Sequence, residues 1–527
     1  MDLNYFLLWV IIFWCILMVI WLIRLPFSQI RGWVIVTGLI VAVTIWTIFV
    51  NGSIAGLVGG ALWGIFILVP LMGMRKATQL ISHGRYGEAR KLMKSLRWLH
   101  PADGWLQQPE ILRALEMGQR GEITEAFQIL NRYQTNNTPV GRNATLLLYR
   151  MSSRWEELLL WVHAYVPEKA LFKDTTLVSY YLRSLGETGD LNGLLYEFQR
   201  FEPFLEKIGD MATLNTIRMF VLAFGGQVEE LRKLMYGPLG MFPESSRRFW
   251  LATAEMAAGN QMLGREQLLA LSDGNDVTFT NAIEQRLSEP PVISAEVLTR
   301  STKKILERVA VDLKQEGQYG NAVTLSGKKP RATLILIGIN ILVFLLEIRL
   351  GGSENIETLK RLGALVPAIF WNGEWWRILN ATFLHFGVLH LTMNMVGLYA
   401  LGSFVELSLG VWRYLVSYFV SGMGSMFVIA VVARTLQTES AMEQITVGAS
   451  GAIMGMVGVM GAIMLWGWRR DKSRVAAQRL RSILFIILLQ VIFDLTTPQV
   501  SIIGHNSGLA LGFLIGNLLL INWRSDR

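Results

Sequence analysis

One cysteine in 527 residues, Cys15, excludes an intramolecular disulfide and any cysteine-based metal site. It lies in an apolar run, where a cysteine packs as a small hydrophobe. The chain has no HExxH and no acidic cluster of metal-ligand spacing, so neither a metal nor a cofactor is expected. The N-terminus reads Met1-Asp2 with no basic region, and no small-residue cleavage site follows the first apolar run, so no signal peptide is expected. Charge is scarce as well: 17% of residues, against roughly a quarter in soluble proteins. What is abundant is apolar, 52% of the chain with 18 tryptophans, the composition of an all-α polytopic membrane protein. The net charge of +9 does not point to nucleic acid, because the basic residues cluster beside the apolar segments, where they set orientation.

A helix needs roughly 17–25 apolar residues to span a bilayer. Nine segments qualify, near 3–23, 32–50, 53–74, 332–349, 383–403, 411–433, 447–467, 482–497 and 504–522; the eighth is short and carries Gln490 and Asp494. If all nine span, five basic clusters fall on one side. These are Arg24 with Arg31, then Arg75 to Lys91, then Lys328 to Arg331, then Arg469 to Arg481, and finally Arg524 with Arg527. The other side receives Asn51, the loop at 350–382, the stretch from Arg434 to Ile445 and the turn around Pro498. The N-terminus is then outside and the C-terminus inside.

Three regions are expected: an N-terminal membrane region at 1–75, a helical-repeat domain at 76–327 and a six-span domain at 328–527. The middle region is polar enough to be soluble, and orientation makes it cytosolic. A Gly followed five residues later by Ala or Leu recurs as Gly84/Ala89, Gly121/Ala126, Gly189/Leu194 and Gly226/Leu231. Looser copies are Ser153/Leu158, Gly259/Gly264 and Gly317/Ala322. The glycine opens a turn and the small residue lets two helices approach, so the segments resemble the turns of a TPR-like helical solenoid, although the full repeat consensus is absent. A generic helical bundle is the alternative.

Polar residues in membrane segments are functional-site candidates by default. The segments at 383–403, 447–467 and 504–522 all run from outside to inside. His390 and Asn394 lie in the first half of theirs, and Ser450 and His505 within the first few residues of theirs. At about 1.5 Å per residue these four share the outer part of the membrane. A serine hydroxyl needs a base to take its proton, and His505 is the spanning histidine that could meet Ser450 at that depth. No acidic residue lies near His505 in sequence, so a dyad is expected rather than a triad. Ser450 falls at a helix N-terminus, where free N–H groups favour developing negative charge. His390 and Asn394, spaced i, i+4, project from one helix face and can both donate to an oxyanion. Gly448, Gly451, Gly455 and Gly458, with Gly504, Gly508, Gly512 and Gly516, form small-xxx-small faces that let two helices pack closely.

Residues 328–527 resemble a rhomboid intramembrane serine protease. The resemblance rests on six spans, the Gly448-Ala-Ser-Gly-Ala-Ile-Met-Gly455 block, His390-xxx-Asn394 preceded by His385, the late His505 with its glycines, and Trp376-Arg377 in the outer loop. It implies Ser450 as nucleophile, His505 as general base, and an oxyanion hole from His390, Asn394 and the Ser450 N–H. It also implies that substrates are transmembrane segments of other proteins, cut near their outer end. One departure is Gly504-His505-Asn506-Ser507-Gly508, where the family commonly has alanine before the histidine and paired glycines after it. Arg377 is expected to brace the outer loop, Trp371, Trp375 and Trp376 to suit an interface-lying segment, and Asp494 to face water. His83, His100 and His163 receive no role. The site would face the outer side of a cell membrane, with the lipid bilayer and a cytosolic partner of the repeat domain as further contacts. The alternative function is a membrane-anchored adaptor whose six-span core binds transmembrane helices without cutting them.

Overall fold

The computed structural model describes residues 3–24, 27–134, 138–272, 276–320, 329–497 and 500–523. Expectations at Met1, Asp2, Ala322, Lys328, Pro498, Arg524 and Arg527 lie outside the described residues. Nine described helices are long and apolar enough to cross a membrane. We label them α1 (Leu3–Arg24), α2 (Phe27–Asn51), α3 (Ala55–Ser82), α4 (Arg331–Arg349), α5 (Gly387–Leu409), α6 (Val411–Leu436), α7 (Ser450–Arg469), α8 (Arg474–Thr496) and α9 (Ile502–Trp523). They match the nine expected segments. The exceptions at the ends are α3 and α8, which run eight residues further than the apolar stretch alone suggested because flanking polar residues continue the helix. Among the described residues the sole extended pairing is a bridge between Leu365 and Thr446.

The chain forms two compact units, Asp2–Val311 and Asp312–Arg527. In the first, α1–α3 share one apolar core with the helices that follow: Trp14, Trp33 and Ile67 are buried in the same cluster as Ala89, Met93 and Trp105. Within the membrane helices, the Trp14 Nε1–H donates to Thr37 Oγ1 at 2.9 Å, a polar tie of the kind apolar surroundings favour. His100 has a structural role that its sequence context hides. It is fully buried, with Nδ1 3.1 Å from Asp103 and Nε2 2.9 Å from the Phe66 carbonyl. Asp103 in turn accepts the Gly32 N–H at 2.8 Å.

The rest of this unit is a series of antiparallel helix pairs. Gly84, Gly121, Ser153, Gly189, Gly226 and Gly259 all take positive φ, so each of these repeat positions is a turn. Five share one hydrogen bond: the residue after the turn donates to a carbonyl five positions back, as Glu122 does to Met117 at 2.9 Å and Arg154 to Tyr149 at 3.0 Å. This closure stops a helix and starts the next within two residues. The positions five residues on, Ala89, Ala126, Leu158, Leu194 and Leu231, are buried between the paired helices. The loosest copy behaves differently. Gly317 lies inside the helix Arg300–Tyr319 and opens no turn.

The second unit packs α4–α9. The carboxylate of Glu406 on α5 accepts the backbone N–H groups of Ala332 and Thr333 at 3.0 and 2.8 Å and the Thr333 hydroxyl at 2.8 Å. It thereby fills the donors that open α4 and would otherwise be unpaired. The loop between α4 and α5 is held by Arg377, which is buried and donates to the carbonyls of Lys360 (2.8 Å) and Ala364 (2.9 Å) and to Glu374 (2.8 Å). Trp371 docks the loop on α6 through an indole N–H bond to the Ala430 carbonyl at 3.0 Å, while Trp375 is exposed. Arg377→Ala leaves the buried Ala364 carbonyl without its donor and the Lys360 carbonyl with only the Gly363 N–H. It is expected to cost about 3 kcal/mol, read as a lower unfolding temperature in detergent together with faster protease cutting between residues 350 and 382.

Candidate active site

Three helices of the second unit meet where the polar residues lie. Ser450 is the first residue of α7 and half-buried. The strand-like segment before it is fixed at two points: Thr446 pairs with Leu365, and the Gly448 N–H donates to the Ala381 carbonyl at 2.8 Å. Gly448 has φ +125°, and a Cβ there would lie 2.8–2.9 Å from Cε1 and Nε2 of His390. The glycine is therefore needed twice, for its backbone angle and for the imidazole lying against it. This contact places the Nε2 edge of His390 two residues from Ser450.

Close helix contact sets the position of His505. A Cβ on Gly508 would be 2.1 Å from the Gly451 carbonyl oxygen, and one on Gly512 would be 2.0 Å from that of Gly455. A Cβ on Gly451 would lie 3.6 Å from the Gly504 carbonyl oxygen and 2.0 Å from Ser425 Oγ of α6. The residues next to Ser450 and His505 thus touch through backbone, as the glycine spacing predicts. Further down, the Trp466 indole N–H donates to Asn517 Oδ1 at 2.9 Å and ties the same two helices.

The structure differs from the sequence reading at the acid. Asp494 is buried rather than water-facing, and its carboxylate oxygens lie 2.9 and 3.0 Å from His505 Nδ1. Gln490, one turn earlier on α8, donates to Asp494 at 2.8 Å and lies 3.4 Å from the same ring nitrogen. An acid eleven residues away thus reaches the histidine because the end of α8 and the start of α9 lie side by side. A carboxylate accepts, so Nδ1 carries the proton and Nε2 is left with a lone pair. The opposite tautomer follows for His390. The Phe386 N–H donates to its Nδ1 at 3.4 Å, leaving Nε2–H as the donor.

Asn394 is buried one turn below His390, and one of its amide N–H groups donates to the His390 carbonyl at 2.8 Å. Its second N–H makes no hydrogen bond among the described residues. His385 stands behind His390 with ring centroids 5.3 Å apart, and its backbone N–H donates to Glu347 of α4 at 3.0 Å. The Ser507 hydroxyl is turned back onto its helix, to the Ile503 carbonyl at 2.6 Å, and away from the imidazole. Sequence reasoning missed Asp494, Gln490 and Glu347; the available signal was a carboxylate or amide within a membrane segment. Among the described residues no group of three or more His, Cys, Asp or Glu side chains could hold a metal ion.

Residues 372–522, which take in α5 to α8 and α9 up to Asn522 but not α4, match the rhomboid domain. The chain is 33% identical to rhomboid protease GluP of Bacillus subtilis over 203 residues, 38% of this chain and 37% of that one. It is 33% identical to RHOMBOID-like protein 5 of Arabidopsis thaliana over 169 residues, 32% of this chain and 52% of that one. These matches span about half or less of the relatives' own length. A third relative, putative rhomboid protease YdcA of Bacillus subtilis, is 30% identical over 148 residues, 28% of this chain but 68% of its own length. With a relative matched over two thirds of its length at that identity, the chain belongs to the rhomboid family.

Proposed function

We propose that this protein is an intramembrane serine endopeptidase, with Ser450 as nucleophile and His505 as general base. The observation that carries the reading is the pairing of His505 Nδ1 with Asp494, which presents Nε2 as a base at the end of α9 whose backbone touches that of Ser450's helix. Ser450 Oγ would attack the scissile carbonyl carbon while its proton passes to His505 Nε2. The oxyanion so formed would be met by His390 Nε2–H, the free N–H of Asn394 and the Ser450 backbone N–H at the start of α7. His505 would then return the proton to the leaving amine, and water would release the acyl group by the same steps in reverse. Asp494 acts through His505: it fixes the ring and stabilises the imidazolium, which makes it a positioning residue in what otherwise works as a Ser-His dyad.

The substrates in this reading are transmembrane segments of other proteins, which must unwind locally to expose a peptide bond. The basic clusters put the site towards the outer face of a cell membrane and residues 76–327 in the cytosol. We divide the chain into a membrane region at 1–75, a TPR-like repeat domain at 76–327 that docks a cytosolic protein, and the protease domain at 328–527. The test is labelling by a serine-directed fluorophosphonate. Wild-type protein should react, and neither Ser450→Ala nor His505→Ala should. An unreactive wild type would favour an adaptor that binds transmembrane helices without cutting them.

Asp494→Asn separates positioning from chemistry. Gln490 faces Nδ1 with its amide nitrogen, a donor that cannot accept Nδ1–H. The new asparagine can offer that proton only a neutral carbonyl, so the turnover rate is expected to fall by about 100-fold or more, towards the ~10⁴-fold loss of a triad whose acid becomes its amide. KM for a reporter substrate should stay within about two-fold. An unchanged turnover rate, or a change confined to KM, would remove Asp494 from the mechanism.

A further inference from the structure

The helical region of the first unit holds a cleft of about 560 Å³, within the roughly 300–1,000 Å³ of ordinary ligand sites. The turns at Gly84, Gly121, Ser153, Gly189 and Gly226 bring the same helix of each pair, the one that precedes the turn, to a common face. The cleft is lined from the ends of those successive helices, by Ser82, Gln119, Arg150, Arg183 and Phe220 among others. A groove that crosses one helix per repeat suits an extended chain better than a compact metabolite.

Three guanidinium groups line it, and they differ. Arg183 donates to Glu187 at 3.0 Å and stacks on Trp155 and Trp250 at 4.5 and 5.1 Å. Arg286 pairs with the other oxygen of the same carboxylate. One acid therefore serves two cations. Arg150 bonds only to neutral groups: it donates to the Tyr180 hydroxyl at 3.2 Å and has the Tyr86 phenol beside it, while the like-charged Arg183 lies within electrostatic reach. The remaining acids of the cleft are occupied elsewhere. Asp276 accepts the Phe279 N–H at 3.1 Å and the Gln119 amide at 3.0 Å, while Glu289 is exposed and takes Gln285 at 3.4 Å. Among the described residues Arg150 pairs with no carboxylate. A half-buried guanidinium bonded only to phenols keeps most of its five donors for a ligand, and its fork fits a carboxylate. Half-buried Phe242 and Pro243 give the same cleft an apolar wall.

We propose that this cleft binds an extended peptide of a cytosolic partner by a carboxylate, seated on Arg150 between Tyr86 and Tyr180, with an apolar neighbour against Phe242 and Pro243. The carboxylate belongs to an aspartate or glutamate side chain or to a free C-terminus. This rests on the reading of residues 76–327 as a docking domain and is independent of catalysis at Ser450.

Full-length protein in detergent is used to select from a phage library of random dodecapeptides, and the selected peptides are resynthesised as free acids, C-terminal amides and Asp→Asn or Glu→Gln forms. Wild type should enrich acidic residues beside apolar ones. A selected peptide should weaken roughly 10- to 100-fold either on amidation or on side-chain neutralisation, which tells the two carboxylate sources apart. Arg150→Gln should weaken the acid form equally, and Arg150→Lys should restore part of it, which a misfolded cleft would not. Cleavage of a reporter substrate should be the same in both variants. Enriched peptides that lack acids, or that bind Arg150→Gln within two-fold of wild type, would overturn the proposal and leave docking intact. Failure to enrich any peptide would overturn both, without touching the Ser450 reading.

Discussion

Ser450→Ala is expected to abolish cleavage of a reporter transmembrane substrate, a loss of at least about 10⁴-fold in turnover, while leaving the protein as stable as wild type. The size follows from chemistry. Alanine offers no nucleophile, so the acyl intermediate cannot form, and what remains is whatever polarisation His390 and Asn394 give to a carbonyl attacked by water. The absence of a stability cost follows from position. Ser450 is the first residue of α7, half-buried, and the helix is held by Gly448 and by the glycine contacts rather than by the serine side chain. Substrate should still bind, so KM-type behaviour and competition with wild type should persist. Cleavage at wild-type rate in detergent would end the protease assignment. A loss of activity accompanied by a lower unfolding temperature would instead trace the effect to packing.

The parts of this structure that were legible from sequence are those set by local pattern. Nine apolar stretches gave nine membrane-length helices because length and hydropathy are properties of the segment itself. The turns at Gly84 to Gly259 were legible because a helix-ending residue must accept a positive φ, which marks the position with glycine, and once with Ser153. The start of α8 differs from the expected 482 for a related reason. Arg474, Arg479 and Arg481 read as a polar loop, yet they form the first turns of the helix, since long basic side chains can lie along an apolar helix and keep their charge at its edge.

What could not be read was contact between segments. Asp494 and His505 meet across a turn, and the side of α8 that faces α9 is marked in the sequence only by the i, i+4 pair Gln490 and Asp494, with no apolar periodicity around it to say what that face meets. The same holds for the seat of His390 on Gly448, fifty-eight positions apart, and for Glu406 capping α4. In the helical region the repeat was visible but the lone cation was not. Arg150, Arg183 and Arg286 look alike in sequence, and only the sharing of Glu187 by two of them sets the third apart.

Gly512→Val is expected to lower activity by about 100-fold or more and to reduce thermal stability, although it changes no polar group. A Cβ at 512 would fall 2.0 Å from the Gly455 carbonyl oxygen and 2.5 Å from its Cα. Both are backbone atoms, so no rotamer change relieves the clash, and α7 and α9 must move apart by an ångström or more. Overpacking of that kind costs roughly 1–3 kcal/mol and sometimes more. The functional loss is larger than the stability loss because Ser450 and His505 ride on the two helices being separated, and a displacement of about 1 Å in a reacting pair can cost on the order of 100-fold. Gly338→Val on α4 is the control, since a Cβ there meets nothing within 4 Å. The two variants should insert equally well, and the fluorophosphonate should label Gly512→Val slowly and Gly338→Val at the wild-type rate. Equal labelling of both would mean that the tight α7–α9 contact does not set the distance between serine and histidine.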